Sequence, residues 1–112
     1  MSPSHELQTL KAEFFRALAH PARIRLLEVL SERGEQSVQT LQARLDLGQP
    51  IVSQQLAKLR ASGVVVGRKE GTTVLYALAN PRIAELLAVA KAILSQRLTG
   101  HRSLLQELRR SG

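Results

Sequence analysis

Apolar residues recur at three- and four-residue steps through most of the chain, which is the spacing of an amphipathic helix. The first stripe predicts a helix over residues 7–19, and the His20-Pro21 pair ends it. Pro21 suits the first turn of a second helix, because no helical hydrogen bond needs its missing N–H there. Gly34 ends that second helix. The apolar positions of the first stripe are Leu7, Leu10, Phe14 and Leu18.

Two short helices joined by a tight turn are predicted next. Ser37 can cap a helix over residues 37–45, and Leu47-Gly48 breaks the pattern. Pro50 then marks the start of a fourth helix, over residues 49–62, so the pair predicts a helix-turn-helix. On the fourth helix Val52, Leu56 and Leu59 form one side, with Gln55 at its shoulder, and Pro50, Ser53, Gln54, Ala57 and Ala61 point the opposite way.

After Gly63 the helical period gives way to runs of β-branched residues. VVVGRK and TTVLYAL predict two strands, and the Glu70-Gly71 step between them predicts the turn of a hairpin. Asn80 and Pro81 begin a long helical segment with a predicted break near Gly100. The expected fold is mainly α with a small β-hairpin, in the order α-α-α-α-β-β-α, as one winged helix-turn-helix domain over residues 1–112. The stripe of the last helix is Ile83, Leu87, Ala90, Leu94 and Leu98.

Composition narrows the class of function. The 112 residues carry a formal net charge of +7, which favours a polyanionic partner such as nucleic acid. There is no cysteine, so disulfides and thiolate metal sites are excluded. No stretch is long and apolar enough for a membrane span or a secretion signal, so we expect a cytoplasmic protein without a membrane partner.

The polar side of the fourth helix is suited to the major groove of double-stranded DNA, which admits an α-helix. Its small or flat polar groups allow close approach, and no acidic residue occurs between Gln49 and Lys69. Ser53 and Gln54 are the candidates for reading bases, with Gln49 less certain, while basic residues of the helix and hairpin hold phosphates. The candidate DNA-binding residues are Ser37, Gln49, Pro50, Ser53, Gln54, Lys58, Arg60, Arg68, Lys69, Thr72 and Thr73.

Three stretches resemble the ArsR/SmtB family of bacterial winged-helix repressors. They are FFRALAHPARIRLLEVL at 14–30, SVQTLQARLDLGQPIVSQQLAKLRASGVV at 37–65 and RKEGTTVLYAL at 68–78. The first, with Ala19-His20-Pro21 followed by Arg23, is the most specific to the family. One departure is Gln55, where many members of the family have histidine; this affects a local packing contact more than the DNA role.

The resemblance implies a homodimer, paired through its first and last helices, that binds an inverted-repeat operator and releases it when an effector or a partner protein arrives. The terminal stripes also supply more apolar surface than one small core requires. The candidate dimer interface consists of Leu7, Leu10, Phe14, Ile83, Leu87 and Leu94.

A metal cofactor is not evident. The resemblance places Asn80, Arg82, Ile93 and Gln96 at ligand positions of the last helix and Val38, Gln39, Thr40 and Leu41 on the third, and neither set suits a cation. His5 and His101 are weak candidates for nickel or zinc, with Glu6, Glu85 and Glu107 as possible helpers, while His20 has a structural role beside Pro21. No spacing such as H-x-x-x-H supports a metal site.

Catalysis has no support in the sequence, because it contains no paired carboxylates in an apolar setting, no nucleophile motif and no phosphate-cradling loop. We therefore expect a protein that is not an enzyme. The alternative to a DNA-binding repressor is a winged-helix module that docks a partner protein through its amphipathic terminal helices, its basic charge serving solubility alone.

Overall fold

The structure is a computed structural model that describes residues 3–98 and 102–110. Helices dominate it, as predicted, and they are joined by a small antiparallel sheet, two of whose three strands lie between the fourth helix and the fifth along the chain. The last helical segment is divided in two, and Gly100, the predicted break, lies outside the described residues. The elements are α1 (Pro3–Leu18), α2 (Pro21–Arg33), β1 (Gln36–Ser37), α3 (Val38–Leu45), α4 (Gln49–Ala61), β2 (Val65–Glu70), β3 (Thr73–Leu78), α5 (Arg82–Arg97) and α6 (Arg102–Arg110).

Three helix starts follow from short-range side-chain chemistry. His20 is the N-cap of α2, where its Nδ1 atom accepts a hydrogen bond from the Ala22 N–H at 3.1 Å. Ser37 caps α3 by accepting from the Thr40 N–H at 3.2 Å. The Asn80 side chain accepts from the Arg82 N–H at 2.9 Å where α5 begins. Each contact satisfies an N–H group that the first helical turn leaves unpaired.

The sheet has three strands in the order β1-β3-β2, so the predicted two-stranded hairpin is incomplete. β1 pairs Gln36 with Tyr76, and its two residues are too few to give a recognisable alternation in the sequence. The predicted turn at Glu70-Gly71 is also wrong by one residue, because Glu70 still pairs with Thr73. The turn is Gly71-Thr72, and Gly71 has φ of +64°, a conformation that glycine adopts without steric cost.

The core lies where α2, α3 and α4 meet the inner end of the sheet. Leu26 and Leu27 of α2, Leu41 of α3 and Leu56 and Leu59 of α4 are fully buried there. Burial of each such side chain contributes about 1.5–3 kcal/mol. This cluster fixes the two helices of the helix-turn-helix against α2.

The terminal helices leave much of their apolar surface uncovered. On α1, Leu7 is 56 % exposed, Leu10 60 % and Phe14 38 %, and on α5 Leu94 is 41 % exposed. Ile83 is different, since it is 6 % exposed and packs in the core of its own subunit. Its assignment to the dimer interface is therefore corrected, because the Ile83 side chain faces inward, whereas Arg82 and Glu85 of the same turn are exposed. Within the described part of the chain, no helix has the length and apolar character needed to cross a membrane.

Candidate nucleic-acid interface

Helix α4 presents two chemically different sides. Val52, Leu56 and Leu59 have no exposed surface and pack into the core. On the opposite side Ser53 and Gln54 are exposed, as are Gln49 and Pro50 in the first turn. The structure therefore brings the predicted base-reading residues together on one accessible surface. We call α4 the recognition helix.

Two arginines of α2 hold the helix-turn-helix in position. The Arg23 Nε–H donates to the Gln55 Oε1 atom on α4 at 2.8 Å, and its Nη1 donates to the Ala17 carbonyl near the end of α1 at 3.0 Å. Arg25 Nη2 donates to the Leu45 carbonyl at the end of α3 at 2.7 Å. One guanidinium thus joins α1 to the recognition helix, and a second one satisfies a carbonyl at the end of α3.

Gln55 is buried, with 6 % of its surface exposed. The sequence placed it at the shoulder of the buried stripe but did not show its partner, which lies 32 positions away. In the sequence, Arg23 belongs to the stretch that resembles the ArsR/SmtB family, and no local pattern marks it as the partner of Gln55. The sequence does contain one indication of this contact: a glutamine on the buried side of α4 needs a hydrogen-bonding partner for its amide.

Ser37 serves its own helix. Its hydroxyl accepts from the Thr40 N–H at 3.2 Å and donates to the Thr40 Oγ1 at 3.0 Å, and the residue is half-buried. Ser37 is one of the candidate DNA-binding residues, and a phosphate contact through its hydroxyl would compete with the cap of α3.

The wing comprises β2, the Gly71-Thr72 turn and β3, and its two cations differ in their surroundings. Arg68 makes a bidentate pair with Glu35, with Nε to Oε2 at 2.8 Å and Nη2 to Oε1 at 2.7 Å, and its Nη2 also lies 3.0 Å from Glu70 Oε2. The hydrogen bond from Arg68 holds the pKa of Glu35 below its usual value, and the same contact raises the pKa of Arg68. Two carboxylates therefore compensate the charge of Arg68.

Lys69 is exposed and makes no ion pair with any described residue. Thr72 is exposed in the turn, and Thr73 is half-buried at the start of β3. On the recognition helix Lys58 and Arg60 are likewise exposed, and neither pairs with a carboxylate within residues 3–98 and 102–110. The uncompensated cations of this surface are thus Lys58, Arg60 and Lys69.

The histidines do not form a metal site in the part of the chain that the structure describes, where no three His, Cys, Asp or Glu residues could jointly hold an ion. His5 is exposed on α1, and His20 is the cap of α2. His101 lies outside the described residues. On α5 the family's ligand positions carry Arg82, which pairs with Glu85 at 3.2 Å, and an exposed Ile93, and neither side chain suits a cation.

Comparison with known proteins identifies the family. The family described as bacterial regulatory protein, arsR family, matches residues 20–66, which include α2, α3 and α4. The chain is 47 % identical over 109 residues to the HTH-type transcriptional regulator Rv0081 of Mycobacterium tuberculosis, covering 97 % of this chain and 96 % of that protein. The chain belongs to the ArsR family.

Solved structures agree with this assignment. The crystal structure of Rv0081 superposes on this ArsR-family chain with a TM-score of 0.75 at 48 % identity, covering 89 % of this chain and 97 % of the other. A homodimeric winged helix-turn-helix DNA-binding domain from Mycobacterium bovis, a possible ArsR-family regulator, gives a TM-score of 0.78 at 27 % identity, covering 90 % and 94 % of the two chains. The predicted winged helix-turn-helix fold and the predicted class of transcriptional regulator are confirmed.

Proposed function

We propose that this ArsR-family chain is a homodimeric transcriptional repressor, acting in the cytoplasm without catalysis and without a metal. Its single domain binds an inverted-repeat operator, and an effector or partner protein releases it. The observation that carries the proposal is the exposed polar side of the recognition helix, which no carboxylate of a described residue neutralises.

Base reading is assigned to Ser53 and Gln54. Both are short enough to let the helix enter the major groove, where a hydroxyl and an amide can exchange hydrogen bonds with base edges. Gln49 and Pro50 lie at the N-terminal end of the same helix and contact the adjoining base or sugar.

Phosphate binding is assigned to the three uncompensated cations, Lys58, Arg60 and Lys69, with the Thr72 and Thr73 hydroxyls beside them. Arg68 is assigned a structural role instead. Its guanidinium group is already paired with Glu35 and Glu70, so Arg68 holds the wing beside the start of β1. Its contribution to phosphate binding is therefore smaller than that of the three unpaired cations.

The dimer forms through the exposed stripe of α1, namely Leu7, Leu10 and Phe14, and through Leu87 and Leu94 of α5. The subunit leaves the three side chains of α1 and Leu94 exposed, while Leu87 is half-buried against the subunit's own core. A two-fold axis through this surface would set the recognition helices about 34 Å apart, one turn of DNA.

The test is the affinity of the protein for the DNA upstream of its own gene, measured by fluorescence anisotropy over a salt series. Six phosphate contacts in the dimer predict a slope of log K against log salt of about −5. A protein-docking module would give a flat response or no binding, which would refute the proposal.

Two variants with matched controls separate base reading from phosphate binding. Gln54→Ala should weaken binding to the operator by about 1–3 kcal/mol per half-site and relax its sequence preference. Lys69→Gln should weaken binding to all sequences alike and reduce the salt slope by about two, because each subunit of the dimer loses one phosphate contact. Gln8→Ala and Lys11→Gln, exposed on α1, are the controls. Effects no larger than those of the controls would remove the assigned roles.

A further inference from the structure

A cavity that is open to solvent, with a volume of about 540 Å³, lies on the surface where the C-terminal parts of α1 and α4 meet the start of α2, and most of the residues that line it are exposed. This volume is in the range of small-molecule sites in proteins, about 300–1,000 Å³. Three of its lining residues are cationic, Arg16 from α1, Arg23 from α2 and Lys58 from α4, and a single carboxylate, Glu13, accompanies them. The cavity therefore carries a surplus of positive charge contributed by three different helices.

The three cations retain free hydrogen-bonding capacity. Arg16 and Lys58 make neither an ion pair nor a side-chain hydrogen bond with any residue that the structure describes. Arg23 uses its Nε–H for Gln55 and one Nη1–H for the Ala17 carbonyl, so three of the five N–H groups of its guanidinium remain available. Ser62, at the end of α4, adds a hydroxyl to the lining.

We propose that this cavity is the effector site of the repressor and that its ligand is a small polyanion, recognised through carboxylate or phosphate groups. Guanidinium groups bind both kinds of oxyanion in a bidentate manner, and a lysine adds a point charge. The role of this cavity as an effector site rests on the proposed function as a repressor. The site itself stands on the geometry of the cavity and the uncompensated charge.

Two residues of the cavity connect it to DNA binding. Lys58 is also assigned to a phosphate of the operator, so an anion in the cavity draws that charge away from the DNA. Arg23 joins the end of α1 to Gln55 of the recognition helix, so an anion that engages the remaining N–H groups acts on the link between a dimer helix and the DNA-reading helix. Both effects lower the affinity for the operator when the anion is bound. By linkage, operator binding lowers the affinity for the anion by the same factor.

The first experiment measures binding of the site without DNA. Citrate and pyrophosphate are titrated separately into the full-length protein by calorimetry, at constant ionic strength, and glycerol serves as an uncharged control. Saturable binding of one anion and not the other identifies carboxylate or phosphate as the recognised group. Arg16→Gln should weaken that binding at least about tenfold, since it removes one charge-assisted partner. Arg33→Gln, an exposed arginine at the end of α2 away from the cavity, should leave it unchanged.

The second experiment measures operator affinity with and without the saturating anion. The anion should weaken operator binding by at least about fivefold in the wild type and in Arg33→Gln. In Arg16→Gln, which keeps every residue assigned to DNA, the same weakening should require at least about tenfold more anion. Absence of saturable anion binding, or equal binding by Arg16→Gln and the wild type, would overturn the inference. If the protein binds the anion but no operator, the site stands and the proposed function fails.

Discussion

Gln55 is a buried polar side chain of the recognition helix, and its replacement by methionine tests how α2 holds that helix. Methionine has a similar length and fills the same space, so the change removes the amide oxygen without opening a large cavity. The Arg23 Nε–H then loses its partner at 2.8 Å. Arg23 keeps its contact with the Ala17 carbonyl at 3.0 Å, so the arginine stays in place with one donor unsatisfied.

The expected cost follows from the burial of the two partners. A hydrogen bond with a charged group contributes about 1.5–3 kcal/mol when its loss leaves the partner unsatisfied. Arg23 is half-buried, so water partly replaces the lost acceptor, and the lower end of the range applies. We expect Gln55→Met to reduce the free energy of unfolding by about 1.5 kcal/mol. This corresponds to a fall in Tm of about 6 °C for a domain of this size.

Urea unfolding at one fixed protein concentration gives the measurement, since dimerisation makes stability depend on concentration. Gln54→Met, one position along on the exposed side of α4, is the matched control and should change stability by less than about 0.5 kcal/mol. A double-mutant cycle with Arg23→Met should return a coupling energy of about 1 kcal/mol between the two residues. A cost for Gln55→Met no greater than that of the control, or strictly additive single variants, would refute the link.

Four further outcomes are expected. Burial and the neighbouring Glu32 raise the pKa of Glu28, so the charged carboxylate destabilises the folded state above that pKa. Glu28→Gln should therefore raise the Tm at pH 7. The difference in Tm from the wild type should disappear below about pH 4, where the glutamate is protonated in both the folded and the unfolded state. The pKa of Glu35 is lowered by Arg68, so the wild type keeps this pair as pH falls until the lowered pKa is reached. Glu35→Gln removes this ion pair at every pH and leaves Glu70 as the remaining carboxylate partner of Arg68 among the described residues, so the salt slope of DNA binding should steepen. Leu10→Asp places a charge on the exposed stripe of α1 and should yield monomers in sedimentation experiments. Gly63→Ala, at φ of +75°, should cost about 1–2 kcal/mol in urea unfolding.

Local patterns in the sequence predict the starts of α2, α3 and α4 closely, because these starts depend on neighbouring residues, whereas α1 begins at Pro3, four residues before the predicted start at residue 7. The caps at His20 and Ser37 and the start of α4 all act within three or four positions. The two-residue strand β1 has no such local signal and exists because Tyr76 and Leu75 of β3 lie beside it. Ile83 has the same periodicity as the exposed residues of α5, and periodicity alone does not tell which of them the subunit's own core covers.

The positions of the charges were the least predictable part of the candidate site, because each decisive pair joins distant residues. Arg68 and Glu35 are 33 positions apart, and Arg23 and Gln55 are 32 apart. A sequence count gives every arginine the same weight in the net charge of +7. The structure assigns Arg23 to a link between helices and Arg68 to the wing, and on the recognition helix and the wing it leaves Lys58, Arg60 and Lys69 without an ion pair to a described residue. The affinity for DNA therefore depends on this smaller set, and the charge excess read from composition overstates the number of cations that face the duplex.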